Sequence, residues 1–515
     1  CIPMNNLRKS AISASKILLA ACWFILSYST LRAQSDSVKT IEIKNADALI
    51  GTRINGQSVQ KLIGRVALQH DQALMFCDSA WYYDKLNSID AFGRIHIRQG
   101  DTLSLYGDKL NYNGNTRIAS IIGNVRLIDN QVNLQTSQLT YDRNAGMAYY
   151  PDSGNTISRT DQLSSKKGYY YVNTKEFAFK GNVVIKNPQY TLYSDTLIQN
   201  TITDVAYFKG PSTIVSKESF IYCENGWYDK KNDRCQFNQN AYVIAEKNIL
   251  RGDSLYYERN RGYGKGIGHV SIEDTVEKIM VTGHFAETFR NIERYVVTDS
   301  AQLMKIFEKD TLFLHADTLL AVQDSLSKRV INAFHHVKFF KPDLQGLCDS
   351  LSYTQRDSLI RMYYNPVLWN DKNQITAEYI DICMGQKEIY FLNINRLARV
   401  ISQQDSLLFN QVGGLNMKAW FKENELHKID VFDNSKTYYY VKEDNGDMIG
   451  LNIAESKDLT IYVENKQVVK ISFLTNPVGT LHPMYKIKPE EYRIDGFTWQ
   501  IHRRPLKQAD IFIWN

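Results

Sequence analysis

Gly93-Arg94-Ile95-His96-Ile97 and Gly123-Asn124-Val125-Arg126-Leu127 are one pattern repeated 30 residues apart, and that repetition decides the fold. A glycine is followed two and four residues later by apolar side chains. The same arrangement precedes them at Gly64-Arg65-Val66 and follows at Gly181-Asn182-Val183-Val184-Ile185 and Gly268-His269-Val270-Ser271-Ile272. His336-Val337-Lys338-Phe339 and Pro366-Val367-Leu368-Trp369 continue it without the glycine. Successive glycines lie 29, 30, 58 and 87 residues apart, so the longer gaps are two and three periods, and Gly210 marks a degenerate copy.

A second pattern keeps step with the first: small, acidic, any, Leu, any, Tyr. Gly107-Asp108-Lys109-Leu110-Asn111-Tyr112, Gly252-Asp253-Ser254-Leu255-Tyr256-Tyr257 and Cys348-Asp349-Ser350-Leu351-Ser352-Tyr353 are full copies. Ser194-Asp195-Thr196-Leu197, Ala316-Asp317-Thr318-Leu319, Cys77-Asp78, Cys223-Glu224 and Ala377-Glu378 are looser ones. Residues two apart share a strand face, so each repeat supplies two half-buried strands. Between the small residue and the leucine this parity breaks, which marks a corner or bulge with the acid at its centre. The corner acids Asp78, Asp108, Asp195, Asp253, Asp317 and Asp349 are expected to hydrogen-bond the corner backbone, and the small residue reflects a tight bend.

One repeat cannot bury its apolar face alone, but stacked copies form a continuous interior. The expected fold is all-β, an elongated jellyroll or β-solenoid, trough-like, built from two-strand repeats of about thirty residues. At 515 residues the chain is too long for a single compact core, and a one-dimensional array answers that. The expected organisation is an export signal over 1–33, a lead-in over 34–59 and the repeat domain over 60–385, read as one module or two in succession. A longer-period β continuation over 386–475 and a Pro-containing capping tail over 476–515 follow. In the continuation, Trp420 to Ile429 is echoed 42 residues later by Tyr462 to Ile471, and Asp444-Asn445-Gly446-Asp447 reads as a hairpin turn.

Arg8, Lys9 and Lys16, the apolar run Ile17 to Tyr28 and the small-residue site Leu31-Arg32-Ala33 have the layout of a secretory signal, with cleavage expected near Ala33. A lipoprotein box at Leu19-Ala20-Ala21-Cys22 is the alternative. Cleavage removes four basic and no acidic residues and takes the net charge from +6 to +2, which gives no electrostatic reason to expect nucleic acid. Cys77, Cys223, Cys235, Cys348 and Cys383 remain, an odd number without a Cys-x-x-Cys pair, against a disulfide framework or a zinc site. A Cys223–Cys235 bridge stays open. Cys77, Cys223 and Cys348 fall on the small corner position.

Nucleophile-elbow, phosphate-loop, dinucleotide and His-Glu-x-x-His patterns are missing from the sequence, and no catalytic residue, metal site or cofactor is expected. His335-His336, as neighbours in a strand, should face opposite ways. The acids recur at every turn, whereas catalysis needs one asymmetric constellation. What recurs without break is an apolar interior: Val66, Ile95, Ile97, Val125, Leu127, Val183, Ile185, Val270, Ile272, Val337 and Phe339, facing Leu110, Leu139, Leu197, Leu255, Leu319 and Leu351. It is either a packed core or the lining of a groove for acyl chains.

Phe179-Lys180-Gly181-Asn182-Val183, the preceding Gly168-Tyr169-Tyr170, the export signal and the repeated small-Asp-x-Leu-x-Tyr together resemble the OstA-like family, the organic-solvent-tolerance, LptA-type proteins of lipopolysaccharide transport. The resemblance covers about residues 50–385. Lys428-Ile429-Asp430-Val431 and the closing Phe497-x-Trp499 with Arg504-Pro505 look like the long Bacteroidetes-type members. It implies a non-enzymatic periplasmic jellyroll associated with the outer membrane. Such a protein would shelter the acyl chains of lipopolysaccharide or a related envelope lipid and pair edge to edge with itself or with other transport proteins. A structural or adhesive solenoid with a packed interior is the alternative.

Overall fold

The computed structural model describes residues 40–514 apart from 102, 130, 131, 158–160, 386–388, 424, 444 and 445. The export signal, Cys22 and Ala33 lie outside the described residues, as does half of the turn expected at 444–447, which Glu443 N–H closes onto the Asp447 carbonyl at 2.9 Å. No helix among the described residues is long and apolar enough to cross a membrane.

Chain contacts divide the protein into two units, one ending at residue 130 and including 140–144, the other holding 131–139 and everything from 145 onward. In the first unit, Gln57–His70, Ala73–Tyr83, Ser88–Gln99, Leu103–Asn113 and Ile118–Asp129 run hairpin to hairpin, each antiparallel to the next. Glu42–Asn45 and Ala48–Ile54 both pair along Gln57–His70, so the stretch expected as a lead-in already supplies one bent strand of the array.

The second unit repeats the arrangement from Glu176–Lys186 through Tyr190–Asn200, Val205–Ser216, Ser219–Asp229, Arg234–Ala245 and Asn248–Glu258. It continues through Tyr263–Asp274, Ile279–Phe289, Arg294–Ile306, Thr311–Gln323 and Arg329–Lys341 to Leu344–Thr354. Farther on the bend splits strands outright, as between Leu359–Tyr363 and Val367–Asn370, and the pairing goes on past residue 385 in Ile389–Gln403 and Phe409–Lys422.

The bend has one backbone cause. At Gly64-Arg65, Gly93-Arg94, Gly123-Asn124, Gly181-Asn182 and Gly268-His269, two successive residues take positive φ, and the ladder register slips at the same place. Two left-handed residues in a strand make a bulge that turns it sharply. Gln239-Asn240, Asp299-Ser300, His335-His336 and Arg396-Leu397 do the same without glycine, so the 87-residue gap is filled at Gly210 and Gln239. Each strand is thereby bent into two arms. Arm A ends at the turns 84–87, 114–117, 230–233, 259–262 and 290–293, and arm B at 71–72, 217–218, 246–247 and 275–278. In the second unit one core holds arm A residues Val297, Leu319 and Leu351 together with arm B residues Leu314, Phe339 and Leu368, so the bend brings the two inner faces onto each other.

The C-terminal tail is a strap across the outer face of arm B in the second unit. Gln411, 1% exposed, donates to the Tyr492 carbonyl and accepts from Ile494 N–H; Gln374, fully buried, donates to the Thr498 carbonyl and accepts from Gln500 N–H. Arg504 donates to buried Gln345, and Trp514 packs with Leu347, Val367 and Trp369. Three glutamines on an outward face, expected from alternation to be wet, are covered because the strap's backbone supplies partners to Gln374 and Gln411 and its Arg504 side chain supplies one to Gln345.

Candidate functional site

The corner residues sit along the bend. Val66 opposes Cys77, Ile95 opposes Gly107, Val183 opposes Ser194, and Val337 opposes Cys348. A Cβ on Gly107 would approach Ile121 Cγ2 to 2.2 Å, which explains why this position is kept small. Burial pushes the Cys77 and Cys223 thiols up to about 12, and that of Cys348 up as well; Cys223 and Cys235 are free thiols.

The acids flank the bend, and their partners are side chains rather than backbone. Arg94 meets Asp78 at 2.6 Å, Asn124 donates to Asp108 at 2.8 Å, and His269 and His336 pair with Asp253 and Asp317 at 2.8 Å. Asp349 takes the Ser350 hydroxyl and lies 3.4 Å from His335; Asp195 takes Thr196 and packs beneath Gly210. Arg94, Asn124, His269 and His336 are each the second left-handed residue of the bend and aim at the acid of the preceding strand, whereas His335, the first of its pair, turns to Asp349 on the following one. His335 and His336 occupy such a bend, so strand alternation does not govern them, and each goes to a different aspartate. These pairs are exposed, so solvent screening leaves them little weight in stability. Among the described residues no cluster of His, Cys, Asp or Glu could hold a metal ion.

Of the expected lining residues, Val66, Ile95, Leu110, Val125, Leu127, Leu139, Val183, Ile185, Leu197, Leu255, Val270, Leu319, Val337, Phe339 and Leu351 are all buried by protein, and only Ile97 and Ile272 keep some exposure. Following cross-strand partners along arm B of the second unit gives one unbroken inner ladder. It starts at Leu163, Ile185 and Leu192 and continues as Ile214, Ile221, Val243, Leu250, Ile272, Val281 and Leu303, ending on Leu314 and Phe339. The ends of this ladder are buried, while the seven residues from Ile214 to Leu303 are only half-buried. Leu250, Ile272, Val281 and Leu303 nonetheless pack on the core. The interior is thus an apolar slot, partly open over seven strands.

Opposite this stretch, arm A presents Phe237, Leu255, Gly266, Ala286 and Val297, and its rim carries Tyr257 and Tyr295. Near the start of the open stretch the two arms are tied across their free ends. Lys230 on an arm A turn meets Asp161 on arm B at 2.8 Å, and Asn187 donates to the other Asp161 oxygen at 2.6 Å. Burial works against the Lys230 ammonium, but Asp161 together with Tyr190 and Asp204 outweighs it and raises its pKa. The first unit is tied more heavily. His70 Nδ1 and the Tyr112 hydroxyl are 2.5 Å apart, Arg143 reaches Asp71 at 3.4 Å, and Tyr141 donates to Gln99 at 3.1 Å.

Sequence reading found Ile185, Ile272 and Phe339 on the ladder but missed Leu163, Leu192, Ile214, Ile221, Val243, Leu250, Val281, Leu303 and Leu314. The signal was present as a polar pair in place of Gly-x: Gln239-Asn240-Ala241-Tyr242-Val243 and Asp299-Ser300-Ala301-Gln302-Leu303 keep the small and apolar positions.

No curated protein matches the chain. Among solved structures, that of LptH, the LptA homologous periplasmic component of the conserved lipopolysaccharide transport device from Pseudomonas aeruginosa, matches at 18% identity. The match covers 21% of this chain and 82% of that one, with a TM-score of 0.20. The family described as OstA-like protein matches residues 38–195, which span the first unit and the opening strands of the second. Over residues 38–195 the chain is thus similar to the OstA-like family.

Proposed function

We propose that this protein takes part in lipopolysaccharide transport as a non-enzymatic carrier, holding acyl chains of lipopolysaccharide or a related envelope lipid in the slot of its second unit. The observation that carries this reading is the half-buried stretch of the ladder from Ile214 to Leu303. Seven aligned apolar side chains between two arms, partly wet over seven strands, are a standing cost that acyl chains would relieve, at roughly 0.8 kcal/mol for each methylene taken from water. Export to the periplasm, association with the outer membrane and edge-to-edge pairing with partner proteins belong to the same proposal. The first unit's buried lining and polar ties favour the packed-core reading for that unit alone, and its work is then structural.

The test is photo-crosslinking in growing cells from a probe amino acid placed singly at Leu250, Ile272 or Val281, with Arg251 and Ser271 on the opposite strand face as controls. Labelled lipopolysaccharide should be captured from the three inner positions and not from the outer two. Capture from neither set removes the carrier reading.

A further inference from the structure

The open stretch of the slot has a lip of distinctive charge. Two arm A turns border it, Arg259–Arg261 and Arg290–Ile292, with Arg294 following the second. They are stacked directly: Arg290 N–H donates to the Gly262 carbonyl at 2.8 Å, and the Asn291 amide donates to the Arg261 carbonyl at 3.1 Å. Four arginines, Arg259, Arg261, Arg290 and Arg294, thus gather at neighbouring turns at the free end of arm A, on or between the strands whose arm B halves carry Leu250, Ile272, Val281 and Leu303. Arg261 lies over the Tyr263 ring at 5.8 Å and Arg294 over Phe289 at 5.5 Å; both rings alternate with the inner residues Gly266 and Ala286, so these two guanidinium groups are held on the outer side of the lip and Arg259 and Arg290 are left at the turn tips.

Their acidic neighbours answer them only in part. Glu258 pairs with Arg261 at 3.1 Å, Asp233 stands 3.8 Å from Arg259, and Arg290 is exposed with no carboxylate in ion-pair reach among the described residues. The opposite lip differs, since Lys247 is met by Asp274 at 3.1 Å and Lys305 by Glu277 at 3.7 Å. Between the lips, Tyr295 is 42% exposed on the inner rim of arm A. An apolar slot, a tyrosine at its rim and unsatisfied guanidinium groups just outside form a graded surface that suits an amphiphile, with its chains inside and its anionic head at the lip.

We infer that the turns carrying Arg259, Arg261, Arg290 and Arg294 bind the phosphate-bearing headgroup of the amphiphile whose chains occupy the slot. This rests on the carrier reading above and adds the headgroup chemistry and the residues that select it. Guanidinium forks match phosphate oxygens two at a time, and two stacked turns present them from adjacent positions. The preference is electrostatic in part and weakens with salt.

Dimyristoyl phosphatidic acid and dimyristoylglycerol, presented in neutral detergent micelles to the whole protein, differ only in the phosphate. Capture of each from a photoreactive residue at Ile272 reports on the chains. The phosphatidic acid should half-saturate at a concentration about ten-fold lower in low salt. Replacing the four arginines by Gln should bring the two lipids to within about two-fold while leaving dimyristoylglycerol capture unchanged, which also shows that the variant is folded. R259E with R290E should invert the preference.

Equal capture of both lipids by the parent protein, or a preference that survives the four substitutions, overturns the headgroup site and leaves the carrier reading intact. Sodium phosphate that erases the preference where sodium chloride of equal ionic strength does not would assign the arginines to free phosphate and overturn it also. Capture of neither lipid at Ile272 removes the carrier reading and this inference together.

Discussion

Gly123 shows what the bend demands of one residue. Its φ is +80°, and an added Cβ would stand 2.5 Å from Asp108 Oδ2, so conformation and space both exclude a side chain. Gly123→Ala should cost about 1–3 kcal/mol in urea unfolding, whereas Gly51→Ala, with nothing within 4 Å, should change stability by about 0.5 kcal/mol or less. The bends that lack glycine use Asn, Asp, Ser or His for the most part, whose short polar side chains tolerate the left-handed region. Asp229 gives the pH dependence at this scale. It is buried, accepts from Asn232 N–H and the Asn232 amide and from Arg234, and the Asn232 amide foremost holds its carboxyl below the ordinary 3.8. A lowered folded pKa means that its stabilisation is complete above the unfolded value and is lost as pH falls through the folded one. The acid limb of the parent's stability curve should therefore be steeper below about pH 4 than that of Asp229→Asn, as followed by circular dichroism.

Elements are held less by the exposed acid pairs than by what closes them. The strap depends on Gln374, which accepts from Trp369 and Gln500 and donates to Thr498. Gln374→Ala leaves those partners unsatisfied in a dry site and should cost about 1–3 kcal/mol, with the tail from residue 484 onward becoming the first site of proteolysis. Tyr112→Phe removes the hydroxyl that joins arm A to His70 on arm B in the first unit. Its cost should be nearer 1 kcal/mol, read from the denaturant midpoint at unchanged slope.

At the scale of the whole molecule, one strand pattern gives a closed interior in the first unit and a partly open one in the second. Cysteine placed at Ile272 or Val281 should react with a small water-soluble maleimide at pH 7.5, and cysteine at Leu127 or Leu197 should not, with the parent chain as background. Equal protection at all four positions would mean that the slot is shut throughout. The sequence by itself determined the two-strand repeat, its bend and its apolar interior, because alternation, a left-handed pair and a small corner residue are local requirements renewed about every thirty residues. Its glycine signal faded where Gln239-Asn240 and Asp299-Ser300 make the same bend, and there the ladder residues Val243 and Leu303 escaped notice. Only the tertiary structure decided where the interior is open, which lips are tied and what the tail covers. His70 and Tyr112 lie 42 residues apart, Asp161 and Lys230 lie 69 apart, and Gln374 and Thr498 lie 124 apart. No periodicity in the chain records such meetings, since each depends on which arms and outer faces the stacking brings together.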